Sequence, residues 1–354
     1  MTLCLASDRA VSRGKLADLI GRNFAEEVVA VEERPGGANS EVFVVSTKVG
    51  GKYLVKKYRS RPADTSDRLT TEFEGLTFLW QSGIRLIPRP LCQDRDHSLG
   101  VYEYIQGRKL QPGEVSVRHL GLAAEFLGEL FSIRQALGAA QQPLACEACL
   151  SLQGYVDVVQ IRLDRLLAVP GEDALAIGVR AYLEEVFTPF FHHAKAIFFD
   201  RADGLGLDPC AVLPVGRRVL SPSDFGFHNA IVAGDGRLVF IDFEYYGWDD
   251  PAKLIADFYL QPAVPVPPEL RRYFLEKLDF LVANDSELTK RLPLAYLLSA
   301  LKWCLLLLNC FLQVDLARRP SAKELFMKQL DLSRRSLQRL AEEMAGQKFP
   351  LDLL

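Results

Sequence analysis

The sequence predicts an α+β fold of two unequal lobes, a small β-sheet lobe with one bridging helix followed by a larger, mainly helical lobe. Three observations lead there. The chain has 354 residues, more than one ordinary domain, and 49% of them are hydrophobic, enough for a substantial core. Its first hundred residues alternate short Val-rich runs with glycine turns and hold a single stretch of helical spacing. From about residue 115 the apolar positions follow helical spacing over long stretches, interrupted near 221–243 by two short apolar segments joined through Gly234-Asp235-Gly236.

In chain order, 26–34 and 41–48 read as strands joined by Pro35-Gly36-Gly37-Ala38-Asn39-Ser40. Gly50-Gly51 is a hairpin turn leading to the strand Tyr53-Leu54-Val55-Lys56-Lys57-Tyr58. A helix over about 66–82 follows, with Leu69, Phe73, Leu76 and Leu79 or Trp80 on one face and Gly83 at its end. Pro88 and Pro90 introduce strands near 89–94 and 99–105, so the small sheet has the order β-β-β-α-β-β. Gly107 marks the hinge, which divides the chain into lobes 1–106 and 107–354. Helices are expected at 115–137, 151–168, 173–200, 251–260, 267–283, 288–313 and 321–345.

Composition narrows the function. A net charge of −3 argues against nucleic-acid binding, which calls for a basic face. Seven scattered cysteines make a disulfide framework unexpected and fit a reducing, cytoplasmic setting. Cys146 and Cys149 form a C-x-x-C, but no second pair stands at zinc spacing. No secretory signal is expected, because the first residues lack a basic start followed by an unbroken apolar run. Residues 292–312 approach membrane-spanning length. Lys302 inside them would cost roughly 2.5–3.5 kcal/mol at a bilayer centre, so a buried helix is expected and no membrane partner.

The chemistry concentrates at Ser221-Pro222-Ser223-Asp224-Phe225-Gly226-Phe227-His228-Asn229 and Ile241-Asp242-Phe243-Glu244. An acid, an amide five positions on, and a second acid 18 residues after the first have the layout of a phosphoryl-transfer site. Asp224 would orient the acceptor hydroxyl, and Asn229 with Asp242 would hold Mg²⁺. An Asx-capped loop would account for Asp224 and Asn229 alone, but not for an acid between Ile241 and Phe243, which is costly to bury unless paired or metal-bound. His228 reads as a packed or hydrogen-bonded loop residue, because Asp224 already fills the base role.

In the first lobe, the backbone of Gly36-Gly37-Ala38-Asn39-Ser40 can offer N–H donors to phosphate, although an ordinary glycine hairpin has the same composition. Lys56 and Lys57 point to opposite faces of their strand, so one can face inward to the α- and β-phosphates. Glu72 on the next helix would pair with the inward lysine, with Glu74 as its rival. Glu72 shares the face of Leu76 and Leu79, which favours it.

At these residues the chain resembles the aminoglycoside phosphotransferase and choline kinase family of the protein-kinase-like superfamily, from about 34 to 260 and most strongly at 221–258. Gly37-Ala38-Asn39-Ser40 resembles its phosphate loop, Tyr53–Tyr58 its lysine strand and Glu72 its lobe-bridging helix. Gly100–Gly107 resembles its hinge, where backbone groups near Glu103 to Ile105 would meet adenine. The match continues through Asp224, Asn229, Asp242 and Asp250-Pro251. The resemblance implies a bilobal kinase-like fold, with ATP (or GTP) and Mg²⁺ between the lobes. Three departures stand out: Pro222 replaces the family's usual His, Glu244 stands where a small residue often follows Asp-Phe, and Leu254 replaces an acid that often follows Asp-Pro-Ala after one position.

The leading expectation is a kinase that phosphorylates a hydroxyl of a sugar, amino alcohol or aminoglycoside-like metabolite. A nucleotide-binding scaffold is the non-enzyme alternative, and Mg²⁺-dependent turnover separates the two. A protein Ser/Thr kinase fits less well, because eight residues between Asp242 and Pro251 leave no room for a long activation segment. Acids and aromatic residues suit a cationic acceptor, with Glu244, Trp248, Asp249, Lys302 and Trp303 as candidate contacts.

Overall fold

The computed structural model describes residues 12–34, 36, 39–59, 67–171, 173–312 and 322–345. The chain enters through a helix absent from the sequence-based expectation, α1 (Arg13–Phe24). Its signals were present: Ser12 caps it by accepting from the Lys15 N–H, and Leu16, Leu19 and Ile20 fall at three-four spacing. Strands β1 (Val28–Arg34), β2 (Ser40–Thr47) and β3 (Lys52–Tyr58) form a meander. Helix α2 (Arg68–Gln81) follows, then β4 (Pro90–Asp94) and β5 (Leu99–Glu103). The five strands make one antiparallel sheet in the order β1-β2-β3-β5-β4.

Strand alternation gives this sheet two different faces. Phe43, Val45, Val55, Leu99 and Val101 pack under Leu16, Leu19 and Ile20 of α1, each buried side chain contributing roughly 1.5–3 kcal/mol. On the opposite face lie Leu54, Lys56, Tyr58 and Tyr102, where α2 brings Leu76 and Leu79 into the main core. At Gly75 a Cβ would sit 2.5 Å from the Tyr246 ring, so glycine lets α2 close on the second lobe.

Beyond residues 104–106, β6 (Gly107–Lys109) pairs not with the first sheet but with the later hairpin. Helices α3 (Val117–Ser132), α4 (Leu152–Leu167), α5 (Ala174–Tyr182) and α6 (Thr188–Gly204) follow. The helix expected at 173–200 is continuous from Ala174 to Gly204, with a π-helical turn at Leu183–Phe187 between α5 and α6. Strand β7 (Val219–Ser221), a short 3₁₀ turn (Phe227–Asn229), β8 (Ala230–Ala233), β9 (Leu238–Phe240) and β10 (Gly247–Asp249) carry the polar sequence motifs. β6, β8 and β9 form one small sheet and β7 with β10 another.

The remaining helices are α7 (Pro251–Leu260), α8 (Pro268–Glu276), α9 (Asp279–Asn284), α10 (Leu288–Leu306) and α11 (Ala322–Ala345). The expected helix at 267–283 breaks between α8 and α9. Leu288–Leu312 is long and apolar enough to cross a membrane, yet 72% of its most apolar stretch is buried inside the protein, against α4, α7 and α11.

Candidate active site

Two Asp-Phe dipeptides build the floor of the cleft. Phe225 and Phe243 are fully buried, and the acid before the second, Asp242, reaches Lys56 of the first lobe. Phe126 of α3 stacks on Phe240 at 4.5 Å, and Phe225 on Phe258 of α7 at 5.0 Å. This aromatic cluster fixes the segments bearing Asp224 and Asp242 to the helices beneath. Ile241 donates its N–H to the Asn229 carbonyl at 2.8 Å, tying the second motif to the first. Asp242 lies in the left-handed region at φ 70°, a strained position of the kind retained at functional sites.

From the roof, Lys56 is buried and reaches Glu72 Oε2 at 2.6 Å and Asp242 Oδ1 at 2.8 Å. Burial alone would lower its pKa, but the charges of Asp242 and Glu72 outweigh it and hold Lys56 well above the ordinary lysine value. Burial pushes Asp242 upward, and the charge and hydrogen bond of Lys56 reverse this, leaving its carboxyl below the usual range. Glu74, the rival partner, instead pairs with Arg95 at the surface.

Glu72 accepts three donors: Lys56, the Tyr58 hydroxyl at 2.6 Å and the Phe243 N–H at 3.2 Å. Tyr58 also meets the Tyr102 hydroxyl at 2.8 Å. A Cβ at Gly100 would lie 2.6 Å from that Tyr102 hydroxyl, so the glycine opens the path between the two phenols. The tyrosines were not singled out from sequence, although Tyr58 lies two positions from Lys56 and therefore on its face. Tyr58→Phe removes one donor from Glu72. It is expected to cost about 1.5–3 kcal/mol, the range for a hydrogen bond to a charged group, measured by denaturant unfolding. Unchanged stability would remove Tyr58 from this network.

Asp224 is gripped at both oxygens. Asn229 Nδ2 donates to Oδ2 at 3.1 Å and to the Asp224 carbonyl at 3.0 Å, while His228 Nε2 lies 3.2 Å from Oδ1. With Nδ2 so committed, Asn229 keeps its amide oxygen for a cation. Asp242 and Asn229 thus offer hard oxygen donors, a set that fits Mg²⁺. Oxygens of Glu72, Asp242 and Glu244 also lie within 4.8 Å of one another. Burial, then the neighbouring charge of Asp242, raise the Glu244 carboxyl above its ordinary value.

Asn39 crosses between the lobes, its amide donating to Glu244 at 2.7 Å and to the Tyr245 hydroxyl at 2.6 Å. Ser40 is buried at the start of β2, opposite Tyr58. Gly37 lies outside the described residues. Gly36 is described, and a Cβ there would meet the Ser40 carbonyl oxygen at 2.4 Å, so the turn demands glycine. Glu103 and Ile105 line a cavity of ≈ 300 Å³ with Trp80, Arg85 and Arg237, and none of Lys56, Asp224, Asn229 or Asp242 borders it.

Comparison with known proteins follows this geometry. A sequence model described as the phosphotransferase enzyme family matches residues 30–278. The chain belongs to the phosphotransferase enzyme family. A comparison with curated protein sequences finds no significant match. Among solved structures, choline kinase from Cryptosporidium parvum superposes with TM-score 0.61 at 14% identity, over 94% of this chain and 97% of that one. Ethanolamine kinase from Plasmodium vivax gives 0.59 at 16% identity, over 89% and 84%. A spectinomycin phosphotransferase solved with ADP and spectinomycin gives 0.54 at 13% identity, over 93% and 100%. At these identities the likeness shows the fold, which is the bilobal kinase-like one.

Four of the acceptor contacts expected from sequence have partners within the helical lobe of this phosphotransferase. Asp249 is fully buried and holds Lys253 at 2.8 Å, the Cys149 N–H and the Asp250 N–H. Trp248 is buried and donates to the Ala139 carbonyl. Lys302 is buried against both oxygens of Asp257, at 2.6 and 2.7 Å, and Trp303 donates to the same carboxylate. These four side chains therefore have polar atoms paired within the helical lobe, which offsets the cost of their burial. Lys302→Met is expected to destabilise the protein by about 3 kcal/mol, the low end for breaking a buried pair, since Lys253 remains near Asp257. Thermal and denaturant unfolding measure it, and a stability-neutral variant with altered acceptor choice would return Lys302 to the site.

Proposed function

We propose that this protein transfers the γ-phosphate of ATP to a hydroxyl of a small molecule, with a cationic amino alcohol or aminoglycoside-like compound as the favoured acceptor class. The observation that carries the reading is the pairing of Lys56 with Glu72 and with Asp242 of the second lobe, whose neighbour Ile241 is bonded to Asn229, the partner of Asp224. Lys56, held by Glu72, binds the α- and β-phosphates. Asn229 and Asp242 would hold Mg²⁺, which would supply neutralisation of the phosphate charge. Asp224 orients the acceptor hydroxyl and takes its proton. The backbone of Asn39 and Ser40 covers the phosphates, and main-chain groups from Glu103 to Ile105 meet the adenine. Most of the rate enhancement is positioning and charge neutralisation.

The acceptor class rests on charge. Asp224, Asp242 and Glu244 make an acidic floor beside Tyr245, which suits an ammonium group carried by the acceptor. The relatives named for ethanolamine, choline and spectinomycin are consistent with it. The test measures ADP formation by the purified protein with Mg²⁺ and ATP against ethanolamine, choline, spectinomycin, hygromycin B and neutral sugars. Stimulation by amines carrying hydroxyls supports the proposal. Stimulation by neutral sugars alone would overturn the acceptor class, and nucleotide binding without transfer to any acceptor would favour a scaffold.

A further inference from the structure

We propose that His228 is a positioning residue for Asp224, acting as a fixed Nε2–H donor to the carboxylate Oδ1. The inference rests on the reading of Asp224 above and adds to it how that carboxylate is held. His228 Nε2 lies 3.2 Å from Asp224 Oδ1. Its other ring nitrogen, Nδ1, is buried and has no hydrogen-bond partner among the described residues. A proton on Nδ1 would be desolvated with nothing to receive it, whereas a proton on Nε2 faces a carboxylate oxygen. The imidazole is therefore the Nε2–H tautomer, and its hydrogen bond runs toward Asp224.

The surroundings give the ring one seat. A Cβ at Gly226 would stand 2.7 Å from Nδ1 and 2.9 Å from Cε1 of His228, and 2.9 Å from Gln261 Cγ. The glycine lets the imidazole lie against its own Cα, with Gln261 on the same side. The backbone of His228 is held as well, because Lys109 on β6 donates its ammonium to the His228 carbonyl at 3.0 Å. His228 on Oδ1 and Asn229 on Oδ2 then grip the two oxygens from different directions. One donor alone would leave the carboxylate free to swing about it, and two fix the plane of the group that must meet an acceptor hydroxyl. The side chain of Asp224 is still 35% exposed, so its outer edge remains open to that hydroxyl.

Two measurements test this with separate outcomes. The first is the nitrogen spectrum of the imidazoles in uniformly labelled full-length protein, which contains five histidines, with His228→Ala for assignment. A protonated Nε2 and unprotonated Nδ1 for His228, perturbed by Asp224→Ala, is the expected result. A protonated Nδ1 would overturn the inference. The second is single-turnover phosphate release from Mg²⁺·ATP with water as acceptor, together with nucleotide affinity. His228→Ala and His228→Phe are expected to slow turnover by about 10- to 100-fold, the scale of misplacing a reacting group, with nucleotide affinity unchanged. His228→Gln, whose amide can place a donor near the Nε2 position, is expected to recover most of the rate. Wild-type rates in both His228→Ala and His228→Phe would overturn the positioning role while leaving the phosphotransfer reading intact, as would a Gln variant as slow as the Phe variant. A wild type inert toward ATP both with water and with every acceptor tested above would overturn the functional reading instead, and the nitrogen spectrum alone then supports or overturns the hydrogen bond.

Discussion

Asp242→Ala is expected to abolish Mg²⁺-dependent nucleotide turnover while leaving the protein folded. Asp242 has two tasks in the cleft. It neutralises Lys56 from the second lobe at 2.8 Å, and under the proposed function it would offer carboxylate oxygen to a Mg²⁺ shared with Asn229. Removing it takes away electrostatic stabilisation at the place where charge moves during transfer, so a fall of about 10³-fold or more is expected. The fold should survive, because the side chain is 34% exposed and its loss leaves no buried hole. Lys56 keeps Glu72 at 2.6 Å and is not left as an uncompensated buried charge. The backbone constraint at φ 70° persists in the variant, so strain is not relieved and no large gain in stability should mask the effect. Turnover across a Mg²⁺ titration, beside a thermal melt, measures both halves. Wild-type turnover in a folded Asp242→Ala protein would remove Asp242 from the metal site.

Much of the cleft was legible because its signals are local. Two Asp-Phe pairs place each acid on the opposite side from a buried ring, and the pleat separates Lys56 from Lys57. The phase of Glu72 with Leu76 and Leu79 carries it to the sheet. What failed was the choice among acids. Asp249, Lys253 and Asp257 recur every four residues, which puts all three on one face of α7 and its entry, where they pair with one another. A lysine inside the apolar α10 needed an acidic partner, and Asp257 supplies it. That pairing requires α7 and α10 to be neighbours, which no local pattern states. The same limit hid Tyr58 and Tyr102. Their value lies in a hydrogen bond between strands whose pairing the sequence leaves open. Helix α1, by contrast, was overlooked despite a legible cap and apolar face.

Pro222 bears on the last expected result, because it stands where the family resemblance leads one to expect a supporting histidine. The structure supplies Asp224 with support from the other direction, through His228 and Asn229. Asp224→Asn should therefore test the base itself rather than the architecture around it. The amide has nearly the same shape and can keep its carbonyl oxygen toward one of the two donors, so the loop should retain its form. It loses the negative charge and most of its ability to take a proton from the acceptor. Transfer is expected to fall by roughly 10²–10⁴-fold, the scale for removing a general base. Nucleotide affinity should change little, because Lys56 is held by Glu72 and Asp242, and neither Lys56 nor Asp242 is among the hydrogen-bond partners of Asp224 in the described residues. Nucleotide titration and single-turnover transfer on the same preparation separate the two quantities. Equal loss of both would mean that Asp224 holds the cation or caps the loop, and the assignment of the proton acceptor would have to move to another group in the cleft.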